Sequence, residues 1–184
     1  ELNAGDVTAQ NALVQMGKLL QIASGFVIDE EGEVNWLSSN KINATMDLLE
    51  RLNGPVLVWS PFIALQEELV RKIGELRPVI RYREFEDVER WKAMPKGVMV
   101  GNQSSGMGVG VNLQHAAANI YVANNFSSEA RWQSLKRTDR MGQKNQVRNW
   151  DLITPNTVDV KTLVALTRKE NISARNIDSL RDML

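Results

Sequence analysis

The sequence predicts an α/β domain in which a parallel sheet is covered on both faces by helices. Short apolar segments typical of buried strands alternate along the chain with segments of helical periodicity. A chain of 184 residues, 43% of them hydrophobic, is also long enough to build one sizeable core. We therefore expect a single domain.

The composition excludes several classes of protein. The 22 basic and 22 acidic side chains cancel, so the overall charge gives no indication of nucleic-acid binding. The absence of cysteine removes disulfides and thiolate chemistry and is consistent with a reducing compartment. His115 is the only histidine, which excludes a multi-histidine metal site, and we expect it to be structural. No metal site is predicted.

No targeting or membrane segment is apparent in the sequence. No apolar run approaches the roughly 20 residues that a membrane helix needs, and no signal peptide opens the chain. We therefore expect an intracellular protein with no membrane partner. Because the chain starts at Glu1 and not at methionine, we also expect an excised fragment.

The first part of the chain predicts a helix, a hairpin and a second helix. Apolar residues recur with a helical period over residues 8–24. Residues 26–37 have the pattern of a hairpin around a Glu-Glu-Gly turn. Ser39 or Asn40 can cap the next helix, which should end near Leu52.

The remainder of the chain continues as alternating strands and helices. Residues 55–62 form a short apolar run typical of a buried parallel strand, and a helix should follow at residues 63–73. The other predicted elements are strands at 79–82, 98–101, 120–122 and 146–154, helices at 86–94, from Ser127 or Ser128, and at 158–170, and a final amphipathic segment at 174–184.

A pair of arginines, Arg137 and Arg140, is the first candidate for chemistry. They lie in a helix-compatible run that stops at Gly142, so both guanidiniums should project from one face near the helix end. The planar fork of donors on a guanidinium matches the oxygens of a polyphosphate. A solvated basic helix face is the alternative, since residues 131–148 hold six basic side chains against the single acid Asp139.

A glycine-rich segment is the second candidate. Gly106, Gly108 and Gly110 follow the strand at 98–101, at the carboxyl end where ligands bind in open α/β sheets. Glycine permits close approach of the backbone to a phosphate. A flexible loop is the alternative, and the absence of a following Gly-Lys-Ser/Thr excludes a Walker A loop.

Together these two segments resemble motifs V and VI of superfamily-two helicase-like ATPases, with the closest similarity to the Swi/Snf-like branch. The strand at residues 55–62 and its helix resemble motif IV of the same proteins. The matching positions are Gly110-Val111-Asn112-Leu113 in the first segment and Gln133, Arg137, Arg140, Met141, Gly142 and Gln143 in the second.

The resemblance implies a RecA-like sheet of the P-loop NTPase type, without a Walker A loop of its own. Residues 1–184 would form the C-terminal lobe of a helicase. Within it, residues 1–37 would be an opening helix and hairpin, residues 38–155 the core, and residues 156–184 the bracing helices.

The resemblance also implies a role for each site residue. Arg140 would be the arginine finger, Arg137 would hold the phosphates or the opposite lobe, and Gln133 would position them. The implied nucleotide-facing residues are Gly108, Gly110 and Asn112, and the implied DNA-backbone contacts are Ser104, Ser105 and Lys136.

ATP and Mg²⁺ would be bound mainly by an N-terminal lobe that this chain lacks. The parent protein would be a DNA-dependent ATPase that translocates on DNA, most often duplex, whereas the isolated chain should not hydrolyse ATP. The alternatives are a restriction-type motor subunit, an RNA helicase lobe, or, in a different class, a doubly wound domain that only binds a partner or a phosphate ligand.

The chain departs from the family's pattern in two loops. Residues 81–85 replace the usual Asp-Gly-Ser/Thr, which shortens the loop after motif IV. Ala123, Asn125 and Phe126 stand where the family has acidic residues and a tryptophan, so an aromatic side chain is kept but both acids are lost. We expect that loss to weaken the coupling between DNA contact and hydrolysis.

The compact chain lacks the large insertions common in eukaryotic remodellers. This favours a bacterial or phage source, in which the protein would be cytoplasmic. In a eukaryote the same protein would be nuclear.

Overall fold

The computed structural model describes residues 4–105, 107, 110–139 and 146–168. No helix in these ranges is long and apolar enough to cross a membrane. The elements in chain order are α1 (Ala4–Ala23), β1 (Phe26–Ile28), β2 (Val34–Trp36), α2 (Asn40–Arg51), β3 (Val56–Trp59), α3 (Ile63–Ile73), β4 (Val79–Arg81), α4 (Phe85–Lys92), β5 (Val98–Gly101), β6 (Ala118–Tyr121), α5 (Ser128–Thr138), β7 (Arg148–Asp151) and α6 (Val158–Thr167).

Five of the strands form one parallel sheet in the order β4-β5-β3-β6-β7. The central strand β3 pairs with β5 on one side and β6 on the other, so Val56 lies beside both Val98 and Ala118. All four residues of β3 are buried, as expected for a parallel strand covered on both faces. The predicted parallel α/β sheet with helices on both faces is confirmed.

Alternate residues of β3 fill the two cores. Val56 and Val58 point to the face covered by α2 and α3, where they pack with Leu49 and Leu69. Leu57 and Trp59 point to the opposite face, whose core includes Val88 and Trp91 of α4, with Leu135 of α5 packed against it. The segment that forms β3 is a continuous apolar run because both faces of this strand are buried.

Strands β1 and β2 form the predicted hairpin, which pairs antiparallel and separately from the main sheet. Gly25 joins it to α1 with a φ of 94°, a left-handed conformation that favours glycine. The carbonyl oxygen of Gly25 accepts hydrogen bonds from the backbone N–H groups of Leu37 and Ser38. The turn therefore fixes both ends of the hairpin against the end of α1.

A buried ion pair joins α2 to α6. Lys41 Nζ lies 2.6 Å from Asp159 Oδ2, and both side chains are only 6% exposed. The ammonium also donates to the carbonyl oxygen of Val122, just after β6, at 2.9 Å. Burial lowers the pKa of Lys41, and Asp159 opposes that shift. Removing one partner of such a pair costs about 3–5 kcal/mol, because the other charge is left uncompensated.

Some predicted boundaries are wrong. Helix α5 ends at Thr138 and not at Gly142. Thr138 Oγ1 donates to the carbonyl of Leu135 and accepts from Asn119 of β6, and Asp139 leaves the helical conformation at φ −102° and ψ 81°. Strand β7 is also shorter than predicted.

The caps of the helices were predicted with mixed success. Ser127 caps α5, because its Oγ accepts from the backbone N–H of Ala130 at 3.1 Å. Ser39 stands at the start of α2, as predicted, but its side chain makes no capping hydrogen bond. The amphipathic segment predicted at residues 174–184 lies outside the described residues.

Gly25→Ala should destabilise the protein more than Gly32→Ala. Both glycines have positive φ, so both substitutions carry a left-handed strain of roughly 1–2 kcal/mol. A β-carbon at position 25 would also lie 2.3 Å from the backbone oxygen of Ser38, whereas one at position 32 meets nothing within 4 Å. We expect the Gly25 variant to lose about 1–3 kcal/mol more of its unfolding free energy, as overpacking does. Denaturant unfolding followed by tryptophan fluorescence measures both, and equal losses would contradict the clash.

Candidate functional site

The glycine-rich segment begins at the carboxyl ends of the strands and ends at their amino ends. It leaves the carboxyl end of β5, where the carbonyl of Gly101 accepts from the N–H of Ser60. By Ala117 it has returned to the amino-terminal edge, because the N–H of Ala117 donates to the carbonyl of Pro55, just before β3. The segment therefore begins at the carboxyl ends of the strands and ends at their amino ends, while Gly106 and Gly108, which were expected just past the carboxyl end of β5, lie outside the described residues.

Met107 anchors the middle of this segment. Its side chain is fully buried in the core beneath the sheet. A β-carbon on Gly101 would lie 2.3 Å from Met107 Sδ, so glycine at this position leaves room for the methionine. The segment is thus pinned to the end of β5 by packing as well as by chain connection.

The two serines predicted to contact DNA lie together at the carboxyl edge. Ser104 is exposed, and its Oγ accepts from Asn125 Nδ2 at 2.8 Å. Ser105 Oγ donates to the backbone carbonyl of Asn102 at 2.7 Å, and the N–H of Ser104 donates to Asn102 Oδ1 at 2.9 Å. Their hydroxyls are held in a tight turn directly after β5.

The residues predicted to face a nucleotide lie elsewhere, beside the end of α5. Gly110 has a φ of 90°, and Asn112 is exposed, with its Oδ1 accepting from the N–H of Gln114 at 3.0 Å. The N–H of Leu113 donates to the backbone carbonyl of Arg137 at 3.2 Å. This contact brings Asn112 next to Arg137. Gly108 lies outside the described residues.

A shallow cavity of about 380 Å³ opens beside Asn112. Residues 110–112 form one wall, and α4 forms the other, with Phe85 and Lys92 among its lining residues. His115 nearby is exposed and makes an edge contact with Trp91, with 5.3 Å between the ring centroids. This contact agrees with the structural role expected for the histidine.

Helix α5 carries the other predicted site residues. Gln133 and Arg137 are four residues apart and so share one face of the helix. Gln133 Nε2 donates to Glu129 Oε1 at 3.1 Å. Lys136 is exposed, with its ammonium 5.5 Å from the centroid of the Trp132 ring. Since Lys136 lies in the last turn, the structure does not bring it together with Ser104 and Ser105 at the other edge.

Arg140, the predicted arginine finger, lies outside the described residues. Because α5 ends at Thr138, the argument that Arg137 and Arg140 share one face of this helix no longer applies. The role of Arg140 stays a prediction. In the described part of the chain, no group of three or more histidine, cysteine, aspartate or glutamate side chains could hold a metal ion.

Sequence reasoning missed a polar network that fixes α5 to the sheet. Arg131 donates from both terminal nitrogens to the two carboxylate oxygens of Asp151, at 2.8 Å each. The guanidinium carbon also lies 3.3 Å from the centroid of the Tyr121 ring. Arg131 was expected to belong to a basic surface patch, but Asp151 neutralises it and its side chain is only 11% exposed. The predicted patch is correspondingly smaller.

A second set of contacts fixes the other end of α5. Asn119, at the second position of β6, donates from Nδ2 to Thr138 Oγ1 at 3.1 Å and to Asn149 Oδ1 at 2.8 Å. Its Oδ1 accepts from the indole N–H of Trp59 at 2.9 Å. Between the two ends, the Tyr121 hydroxyl lies 3.0 Å from Ser134 Oγ. Helix α5 is therefore attached to β6 along its whole length.

Stability should fall as the pH rises above about 10, because of Tyr121. Burial raises the pKa of its hydroxyl from 10.0 to about 12. Between these two pKa values the unfolded chain has released the proton that the folded protein keeps. The unfolding free energy therefore falls by up to about 1.4 kcal/mol per pH unit. Tyr121→Phe should flatten this slope, measured as unfolding free energy against pH.

The other tyrosine provides the control for this measurement. Tyr82 is less buried, and burial also raises its pKa, though less. Tyr82→Phe should leave most of the slope in place. If Tyr121→Phe has the same slope as the wild type, the burial of its hydroxyl does not control alkaline stability.

Comparisons with known proteins agree with this fold. No protein-family model matches the chain. Among solved structures, the C-terminal part of the Fun30 ATPase domain superposes with a TM-score of 0.64 over 81% of this chain and 54% of that chain, at 20% identity. The likeness establishes the fold: a RecA-like parallel sheet flanked by helices, as in the C-terminal part of the Fun30 ATPase domain.

Two curated relatives match by sequence. The ISWI chromatin-remodeling complex ATPase ISW1 of Saccharomyces cerevisiae is 32% identical over 77 residues, which are 42% of this chain and 7% of that protein. The chromatin-remodeling ATPase INO80 of Candida albicans is 30% identical over 87 residues, which are 47% of this chain and 6% of that protein. The match thus spans a small part of each relative.

Both relatives are Swi/Snf-family ATPases from yeasts, so they give no support to the expected bacterial or phage source. The order of motifs in the sequence, the parallel sheet and these similarities agree with one another. The chain has the fold of the C-terminal lobe of a helicase-like ATPase and is similar in sequence to chromatin-remodeling ATPases of the Swi/Snf family.

Proposed function

We propose that this chain is the C-terminal lobe of an ATP-dependent DNA translocase. In the proposal it supplies Arg140 as the arginine finger, with Arg137 and Gln133 holding and positioning the phosphates. An N-terminal lobe would bind most of the ATP and Mg²⁺, so the ATP site would be completed only when the two lobes meet. The isolated chain should then be inactive.

The contact between Leu113 and Arg137 supports this proposal most directly. It joins the Asn112 end of the glycine-rich segment to the last turn of α5 at a backbone distance of 3.2 Å. The two segments matched to motifs V and VI were predicted separately, and both were expected to face the nucleotide. Their meeting at one place on the surface is what a shared phosphate site requires.

The proposed chemistry depends on charge. In phosphoryl transfer to water, negative charge spreads over the γ-phosphate oxygens in the transition state. Preorganised guanidinium groups stabilise that charge without the reorganisation that water would need. Arg137 is half-buried, and its backbone is held by Leu113, so its position is constrained before any nucleotide arrives.

Two of the three proposed DNA contacts lie at the carboxyl ends of the strands, away from the last turn of α5. Ser104 and Ser105 present hydroxyls at the carboxyl edge. Hydroxyl groups of this kind contact phosphate oxygens and position a protein on DNA without identifying its sequence. Lys136 would add a further phosphate contact near the end of α5. We propose duplex DNA as the partner and, given the yeast relatives, the nucleus as the location.

The similarity to chromatin-remodeling ATPases favours a DNA motor over an RNA helicase or a restriction-type motor subunit. A binding domain without catalysis remains the alternative from a different class. It predicts that no arginine in this lobe affects ATP turnover.

Arg140→Ala in the full-length protein should abolish DNA-stimulated ATP hydrolysis and leave the fold intact. Loss of an arginine finger lowers turnover by on the order of 10³-fold or more. The measurement is ATP turnover with and without duplex and single-stranded DNA, together with the thermal unfolding midpoint of each variant.

Arg71→Ala is the matched control, because Arg71 is an exposed arginine on α3 that pairs only with nearby Glu68 and Glu75 among the salt bridges of the described residues. It should keep wild-type turnover, since such surface pairs contribute little. Wild-type turnover in Arg140→Ala would refute the finger. No turnover by the full-length wild-type protein on any nucleic acid would favour the binding domain.

A further inference from the structure

The turn between α2 and β3 contains a chemically reactive pair, Asn53-Gly54. It is the one place in the sequence where glycine directly follows asparagine. Asn53 is exposed, and its side chain makes no hydrogen bond to any residue that the structure describes. Because glycine has no β-carbon, its backbone nitrogen can approach the side-chain amide of the asparagine before it. Asparagine in such a place is chemically labile and converts to an acid without an enzyme.

The fold requires the glycine of this pair. Gly54 has a φ of 94°, a left-handed conformation that other residues rarely adopt. A β-carbon at this position would also lie 3.1 Å from the β-carbon of Ala117. The chain uses this turn to pass from the end of α2 into β3, the central strand of the sheet. Substitution of the glycine is therefore disfavoured, and the reactive pair is built into the turn.

The backbone nitrogen of Gly54 is also free to react. Within the described residues its N–H donates no hydrogen bond. Asn112 provides a contrast in the same molecule, because it is exposed as well but is followed by Leu113, whose N–H donates to the carbonyl of Arg137. That hydrogen bond holds the proton that would have to leave, and the leucine side chain hinders the approach. The two exposed asparagines should therefore differ in reactivity.

The reaction at this turn needs only water. The nitrogen of Gly54 attacks Cγ of Asn53, the new C–N bond closes a five-membered imide ring, and the side-chain nitrogen leaves as ammonia with the proton from Gly54. Water then opens the ring at one of its two carbonyl carbons. Opening at Cγ gives aspartate, and opening at the main-chain carbonyl gives isoaspartate, in which the chain continues through Cγ. Both products carry a carboxylate in place of the neutral amide.

A guanidinium without a counter-ion lies beside the turn. Arg77, which follows α3, donates from Nη2 to the carbonyl oxygen of Leu52, in the peptide bond that joins Leu52 to Asn53. Its Nη1 is buried and has no hydrogen-bond partner in the part of the chain that the structure describes. Burial lowers the pKa of Arg77, and no acidic side chain opposes that shift. A carboxylate at position 53 would lie within one side-chain length of this guanidinium and would be a stronger acceptor than a carbonyl.

We propose that Asn53 is a site of spontaneous modification, at which the asparagine amide converts to a carboxylate that pairs with Arg77. This inference does not depend on the proposed function. Its two products should have opposite effects on stability. Aspartate adds the ion pair and keeps the path of the backbone. Isoaspartate lengthens the backbone by one carbon just before Pro55, whose carbonyl accepts from the N–H of Ala117, and so disturbs the entry to β3.

Incubation of the folded 184-residue chain at mildly alkaline pH tests the site. Peptide mapping by mass spectrometry follows the conversion of amide to acid at each asparagine, and electron-transfer fragmentation distinguishes aspartate from isoaspartate. Asn53 should convert at least about tenfold faster than Asn112, because glycine leaves the attacking nitrogen unhindered. The rate should rise with pH, since this nitrogen must lose its proton. Equal rates at the two asparagines would overturn the proposal.

Asn53→Gln is the matched control for the chemistry. Glutamine keeps a neutral amide at the same exposed position, but its side chain is one carbon longer and would have to close a larger ring. Conversion at position 53 should be lost in this variant over the same incubation. Conversion of the glutamine at the wild-type rate would show that ring closure at Gly54 is not the route, and would overturn the proposal.

Asn53→Asp reproduces one product directly and tests the pairing with Arg77. At neutral pH this variant should unfold at a higher denaturant concentration than the wild type, measured by tryptophan fluorescence. The same change in an Arg77→Gln background should give no upward shift, because the guanidinium is absent while a donor for the Leu52 carbonyl is kept. The isoaspartate form, separated by ion exchange, should unfold at a lower concentration. No gain in Asn53→Asp, or a gain that persists without Arg77, would overturn the pairing.

Discussion

The ion pair between Arg131 and Asp151 is the contact on which the arrangement of the site depends. It joins the first turn of α5 to the end of β7, and the guanidinium carbon lies over the Tyr121 ring of β6, 3.3 Å from its centroid. Arginine suits this place because its planar fork binds both carboxylate oxygens while its face stacks on an aromatic ring. Lysine could do only one of these. The pair therefore fixes the direction of α5 as well as its position.

The value of this pair lies more in geometry than in stability. Desolvation of two charges offsets much of their attraction, so a buried ion pair is weak evidence for a gain in folding free energy. What the pair provides is a single orientation for the helix that carries Gln133 and Arg137. The contacts of Asn119 with Thr138 and of Tyr121 with Ser134 continue the attachment along the helix. The residues proposed to face the nucleotide thus lie on an element with little freedom to rotate.

Local patterns were sufficient to predict much of the fold. The bounds of α3 and β5 agree with the predicted ranges at both ends, because an amphipathic period and flanking turn residues mark them in the sequence. The end of α5 could not be predicted in this way. It is set by Thr138, which bonds to Asn119 of a strand that lies earlier in the chain, and local propensity contains no record of such a contact.

The candidate site, too, was predicted from the sequence only in part. Motif spacing predicted Asn112, Gln133 and Arg137 as site residues, but it did not predict their relative placement. The positions of Leu113 beside α5 and of Ala117 at the amino ends of the strands became apparent only from their backbone hydrogen bonds. The network of Gln103, Asn124, Arg131 and Asp151 joins segments that are distant in sequence, so no spacing could have indicated it.

The buried pair of Lys41 and Asp159 has a consequence for how the domain opens. Asp159 lies in the first turn of α6 and also accepts from the N–H of Thr154, while Lys41 binds the carbonyl of Val122. If α6 detached alone, it would leave a buried ammonium on α2 without its counter-ion, which is far less favourable than exposing apolar surface alone. Local fraying of α6 is therefore suppressed, and α2, α6 and the end of β6 should exchange their amide hydrogens as one cooperative unit.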